Sequence, residues 1–333
     1  MVIKLRLLSA LGAVAACFTA TFATADRASA GEVLDKVRAA GAVHCGSVER
    51  PGLAAAGEGG SWQGLNVDVC RAVAAAVLGS ADKIVFQEYE TPKQFDSIRN
   101  GEDDLFFLTA SEIDQQHLSG RVLPGPTVFI ATHAVMVPKG SPEKHVADLA
   151  GSTICYLAPS TVENSVNAFF DRIGKPFLPR PFTEDGEMVD AYKVQYCHAL
   201  AYERTMLATL ADDGGINNLK NRILPEPVAS FPVMAATPVR DGQWSAIVAW
   251  TVHTLISAER PEGKWYHGGV KSLPVDGADL GLDKGWQDRV VKAVGHYGDI
   301  YDRHLGKTSA LGIARGPNAN QIAGGLLMGP FLE

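Results

Sequence analysis

The chain has 333 residues, 46% apolar and 20% charged, with a net charge of −7, 34 glycines, 18 prolines and 5 cysteines. That length suits about two domains and a sizeable core, while the absence of low-complexity tracts, a glycine period or heptads excludes disordered, collagen-like and coiled-coil chains. Acids and bases are interspersed, so no basic footprint for nucleic acid exists.

Residues 1–30 read as a secretory signal peptide. Lys4 and Arg6 form a positive start, Leu7 to Ala16 an apolar run, and Ala23-Thr24-Ala25 and Ala28-Ser29-Ala30 two small-residue cleavage sites. The apolar run is too short to span a bilayer. Val14-Ala15-Ala16-Cys17 offers a lipid-anchored cysteine as an alternative exit. Removing residues 1–30 leaves 27 bases, 36 acids and a net charge of −9. Four cysteines remain, Cys45, Cys70, Cys155 and Cys197, an even number that suits disulfides in an exported chain. Three connectivities exist, and sequence order favours the local pairs, Cys45 with Cys70 and Cys155 with Cys197. No C-x2-C or H-x3-5-H spacing supports a metal site.

Along the remaining chain, Val33, Leu34 and Val37 recur at helical spacing before Gly41, and Ala42 to Cys45 reads as a strand. A glycine-rich loop leads to Trp62-Gln63-Gly64, then a helix through Val69, Val73 and Val77 closed by Gly79. Lys83 to Tyr89 is a predicted strand, Phe95 to Arg99 a helix stopped by Asn100-Gly101, and Leu105 to Leu108 a continuous apolar strand of the kind buried on both faces. This β-α-β-α-β alternation implies a wound α/β sheet. After a strand over Phe129 to Val137 the pattern restarts. A short helix ends at Gly151, Ser152 to Leu157 is a strand, Ser160-Thr161 starts a helix with Val166, Phe169 and Phe170 on one face, and Cys197 to Tyr202 is a strand before a helix through Leu210. Pro225 to Pro238 is extended and proline-broken, followed by a helix around Ile247 to Ile256 and one predicted helix over Trp286 to His304. Two α/β units flanked by extended segments predict an insertion: residues 31–133 begin lobe one, 134–230 form lobe two, and 231–333 return to lobe one and end in a helical extension. The interlobe cleft is the natural ligand site.

The order of these motifs resembles the family 3 periplasmic solute-binding proteins of polar amino acid ABC transporters, of the general L-amino-acid-binding type. The resemblance rests on Leu34-Asp35-Lys36-Val37-Arg38, Cys45-Gly46, Pro51-Gly52-Leu53-Ala54 and Trp62-Gln63-Gly64-Leu65-Asn66-Val67-Asp68-Val69-Cys70 with the alanine-rich stretch to Val77. Met136-Val137-Pro138-Lys139, Asp241-Gly242-Gln243-Trp244 and Val294-Gly295-His296-Tyr297-Gly298-Asp299 extend it over the whole exported chain. It implies a periplasmic-binding-protein-like α/β fold of two wound lobes joined by two crossover strands, with lobe two inserted in lobe one. It also implies the local cysteine pairs, a periplasmic location, no cofactor, and a monomer that carries a small polar ligand, foremost an L-amino acid, to ABC permease subunits.

The family's ligand contacts map onto Trp62 as a covering ring, Thr109 and Ser111 at the end of a lobe-one strand, Ser160 and Thr161 at a helix start, and Glu203 for the ligand ammonium. Each has a plainer alternative: an aromatic packed on its own lobe, a helix cap, or an acid at a helix start. Where the family carries a carboxylate-binding arginine, this chain has Gln116, which donates hydrogen bonds without charge or guanidinium fork. His117 and Arg121 lie nearby. A binding protein without catalytic residues is the leading reading, since no nucleophile elbow, H-E-x-x-H or Walker loop is present. Alternatives are a receptor-type or accessory protein for another ligand, or a dehydratase-like enzyme using Glu112, Asp114 and Glu203.

Overall fold

A computed structural model describes residues 31–90, 93–212, 220–259 and 276–329; the signal peptide read over residues 1–30 lies outside them. In chain order come α1 (Glu32–Ala40), β1 (Val43–Ser47), β2 (Ala55–Ala56), β3 (Trp62–Gln63), α2 (Leu65–Leu78), β4 (Ile84–Glu88), α3 (Asp96–Asn100), β5 (Leu105–Leu108), α4 (Ala110–Gln115), β6 (Val122–Leu123) and β7 (Thr127–Pro138). There follow β8 (Thr153–Leu157), α5 (Thr161–Ile173), β9 (Leu178–Phe182), α6 (Asp185–Lys193), β10 (Ala199–Glu203), α7 (Arg204–Asp212), β11 (Asn221–Ile223), β12 (Ala229–Pro238), α8 (Gly242–Ala258), α9 (Trp286–Val294) and α10 (Tyr297–His304).

The main sheet runs β4-β1-β5-β12-β7-β10-β8-β9. Parallel β4-β1-β5 form one wing and parallel β10-β8-β9 the other. Between them β7 and β12 pair antiparallel, from His133 opposite Ala229 to Thr127 opposite Met234. The two wound lobes are therefore joined by two crossover strands that share one ladder, and the second lobe is inserted in the first.

Each lobe has cores on both faces of its strands. On β5, Leu105 and Phe107 enter the core beneath α2, α8 and α9, while Phe106 and Leu108 enter a second core with Tyr89, Phe95 and Ile98. All four are fully buried, as the unbroken apolar run requires. Trp244 of α8 is buried and donates its indole N–H to the Asp104 carbonyl at 2.7 Å. Cys45 of β1 is bonded to Cys70 of α2, and Cys155 of β8 to Cys197 just before β10, with Cα atoms 6.4 and 5.7 Å apart. Both expected pairs are thus present, one in each lobe. Gly64 of the Trp-Gln-Gly motif precedes α2 at φ 136°, where a Cβ would stand 2.2 Å from the Leu53 carbonyl oxygen, so no larger residue fits.

The structure departs from the sequence expectations in three places. The helix predicted over Trp286 to His304 is two helices: Gly295 at φ 88° ends α9, and His296 caps α10 by accepting from the Asp299 N–H. The helix before Gly151 is a single 3-10 turn, Val146–Leu149. Thr109 to Ser111 is not strand, because Thr109 and Glu112 form a reciprocal capping box that opens α4. Beyond α10 the chain returns to β7, where the Asn318 side chain accepts from the Ile130 N–H at 2.6 Å and donates to the Ile130 carbonyl at 3.1 Å.

Candidate functional site

Strands β1 and β5 end toward the second lobe, and β10 ends toward the first. Residues at these ends meet on Arg50, in the tight turn after β1. The turn is fixed by backbone hydrogen bonds between Arg50 and Ala54, and the Arg50 carbonyl also accepts from Leu53. The guanidinium is buried, with Nη2 2.7 Å from Glu112 of α4 and Nε 3.3 Å from Glu203 at the end of β10. The contact with Glu203 crosses from one lobe to the other. Burial works against the charge on Arg50, but the Glu112 and Glu203 carboxylates more than offset it and raise the pKa. Nη1 is buried without a hydrogen-bond partner among the described residues, which leaves one strong donor unused.

Glu112 is held from the other side by the capping box, its Oε2 accepting from the Thr109 N–H at 2.7 Å and hydroxyl at 2.9 Å. Its two carboxylate oxygens therefore serve helix geometry and the Arg50 pair together. Glu203 is freer, with a side chain about 25% exposed. His133 lies opposite Glu203 in the β7–β10 ladder, with its ring 4.6 Å from that of Phe231. Its Nδ1 is 2.9 Å from Ser165 Oγ, and that hydroxyl donates to the Thr161 carbonyl at 2.8 Å. Since the hydroxyl proton is committed to Thr161, Nδ1 must be the donor and Nε2 carries a lone pair. Burial, with a smaller push from Arg50, lowers the His133 pKa to about 4. The unfolded chain takes up this proton near pH 6.5. His133 therefore costs stability as pH falls from about 6.5 to about 4, by roughly 3 kcal/mol in all. Urea unfolding at pH 7 and pH 4.5 should show most of that loss, and His133→Gln should flatten it; an unchanged slope in the variant would contradict the assignment.

The residues expected from sequence fall as follows. Thr109 and Ser111 lie at the start of α4 beside Glu112, and Glu203 is in the Arg50 cluster. Ser160 caps α5 by accepting from the Glu163 N–H at 3.1 Å and donates to the Leu157 carbonyl at 2.5 Å. Thr161, the first residue of α5, reaches His133 through Ser165. Trp62 rests half-buried on Phe86, ring centroids 5.4 Å apart, and its carbonyl accepts from Arg71. Gln116 ends α4, where its carbonyl accepts from Arg99 at 2.6 Å. Sequence reasoning missed Arg50. The available signal was a cation beside the Pro51-Gly52 turn at the carboxyl end of the first strand, where wound α/β sheets bind ligands.

Past the end of β10, Glu203, Arg204 and Arg222 line a cavity of about 590 Å³ between α7, β11 and residues 310–318. Among the described residues there is no cluster of potential metal ligands, and no helix is long and apolar enough to cross a membrane.

No family model matches the chain. The general L-amino acid-binding periplasmic protein AapJ of Rhizobium johnstonii is 31% identical to it, over 95% of this chain and 97% of AapJ. The glutamate/glutamine/aspartate/asparagine-binding protein BztA of Rhodobacter capsulatus is 28% identical over 91% of this chain and 94% of its own length. Among solved structures, an ABC transporter periplasmic binding protein from Brucella ovis with glutathione bound superimposes with a TM-score of 0.73 at 28% identity, covering 90% of this chain and 99% of that one. With two lobes on a shared two-strand crossover and a relative of this identity along almost its full length, the chain belongs to the periplasmic solute-binding proteins of amino-acid ABC transporters.

Proposed function

We propose that the protein is exported, closes its two lobes on a small polar solute of the amino-acid class, and delivers that solute to an ABC permease. The lobes would be residues 31–133 with 231–333, and residues 134–230. The observation that carries this reading is the Arg50–Glu203 contact, which joins the lobes through charged groups facing each other across the cleft. The relatives support the ligand class: AapJ and BztA are named for amino acids, and the Brucella protein has glutathione bound. Closure is a hinge motion on β7 and β12, with ligand shifting an open–closed equilibrium. Glu203 receives the solute's ammonium. Ser160, Thr161 and the first N–H groups of α5 offer donors to its oxygens, Thr109 and Ser111 flank it, Gln116 donates without charge, and Trp62 covers an edge. No step of this process calls for a catalytic group.

Thermal-shift measurements of the purified exported protein against amino acids, short peptides, amines and dicarboxylates test the reading. A ligand at 100 times its Kd adds about 2.7 kcal/mol of stability. Glu203→Ala should abolish the shift produced by any ammonium-bearing ligand. A protein silent to the whole panel, or a Glu203→Ala variant with unchanged affinity, would contradict the reading.

A further inference from the structure

Thr132 and His133 are neighbours on β7, so their side chains leave opposite faces of that crossover strand. His133 shares its face with Glu203, its partner in the β7–β10 ladder, and with the Arg50 cluster. On the other face, at Thr132, lies the cavity of about 590 Å³. Its walls come from both lobes: α7 and residues 221–227 of the second, and residues 310–318 on the return of the first. The cavity and the cleft are therefore separate spaces with a crossover strand between them.

Of the arginines along the cavity, two are spent elsewhere. Arg315 is paired with Glu259 at 2.7 and 2.9 Å, and Arg222 is drawn away onto the Ser141 and Glu143 carbonyls. Arg204 has no carboxylate partner among the described residues. Its Nε donates to Thr132 Oγ1 at 3.2 Å and its Nη2 to the Leu224 and Pro225 carbonyls at 3.3 and 3.2 Å, while Nη1 has no bond among those residues. Arg204 is also the first residue of α7, where the helix dipole disfavours a cation, and burial pulls its pKa down. The next residue, Thr205, lines the same cavity and is only 4% exposed. Its hydroxyl has no hydrogen-bond partner among the described residues. Two unused donors on the first turn of a helix make a place for an anion. Beyond them the wall is apolar, with Ala208, Ile223, Leu311 and Ile313. Glu203 is the acid on the lining, but its carboxylate is turned to Arg50 on the other face, so an ammonium group here would find no counter-charge.

We infer that this cavity is a second ligand site, which takes a small aliphatic carboxylate without an ammonium group. The carboxylate sits on Arg204 beside Thr205, and the chain lies along the apolar wall. A volume of about 590 Å³ is in the range of small-molecule sites. An anion at this place relieves the charge of Arg204 and the helix start together. The solute proposed for the cleft carries an ammonium and binds on the opposite face, so the two sites select different ligands.

Calorimetric titration of the purified protein with sodium hexanoate, against acetate, hexanamide and hexylamine, tests the assignment. Hexanoate should bind at least tenfold more tightly than each of the others, because acetate lacks the chain, hexanamide lacks the charge and hexylamine has the opposite charge. Arg204→Gln should weaken hexanoate at least tenfold. Ala208→Leu, which fills the cavity without touching the charge, should do the same and serves as the second variant should Arg204→Gln fold poorly. Glu203→Gln, on the other face of the strand, should leave hexanoate affinity within twofold. Silence to hexanoate, hexanamide binding as tightly as hexanoate, or cavity variants without effect would overturn the second site and leave the cleft reading standing. Loss of hexanoate binding in Glu203→Gln would place the carboxylate in the cleft and overturn the second site as well.

Discussion

Replacing Arg50 by methionine should lower the unfolding free energy by about 3 kcal/mol at pH 7. The side chain is enclosed by Glu112 and Glu203, and removing one member of a buried pair strands the charges left behind, at a cost of about 3–5 kcal/mol. The lower end applies because both glutamates keep partial access to water, about 15% and 25% of their side chains. Converting Glu203 to glutamine as well should recover a measurable part of the loss, since the double variant has one stranded carboxylate and not two. Urea unfolding of the wild type, both single variants and the double variant gives the coupling. A single-variant loss below about 1 kcal/mol would show that the pair contributes no more than a surface ion pair.

Removing the second-lobe disulfide, with Cys155→Ala and Cys197→Ala together, should cost about 4 kcal/mol. The bond closes a loop with a sequence separation of 42, and the entropy of the unfolded chain that it removes grows with that length. The first-lobe bond spans 25 residues and should contribute slightly less, about 3.5 kcal/mol. The packing around the second bond is also consequential: Met188, Tyr192 and Leu200 form a small core with Cys155 and Cys197, so truncation opens a cavity as well. Denaturant unfolding of the two disulfide variants in parallel checks both values. A second-lobe loss smaller than that of the first lobe would contradict the loop-length argument.

The wound architecture was legible because its signals are local. The apolar run Leu105 to Leu108 reads as a strand buried on two faces, Gly41, Gly79 and Gly101 stop helices in left-handed backbone, and the four cysteines after residue 30 pair within lobes. The break between α9 and α10 was less visible, because the apolar period continues across Gly295 while a single backbone angle ends the helix. Glu203 stood out in the sequence by itself, as an acid at the end of a strand, but its partners did not. Arg50 takes its meaning from Glu112 and Glu203, which lie 62 and 153 residues away. No window of sequence contains that triad. His133 is a similar case, an isolated histidine whose tautomer is set by Ser165 and Thr161 on a helix 32 residues on.

The Asn318 amide on Ile130 has a further consequence. Strand β7 pairs with β12 on one side over this stretch, which leaves the Ile130 N–H and carbonyl pointing outward as an open rung. An exposed rung of this kind can template a strand from another molecule. One side chain, returning from the end of the chain, occupies donor and acceptor together and imitates a neighbouring strand without adding one. The turn after α10 thereby guards β7, the longest strand among the described residues, against self-association.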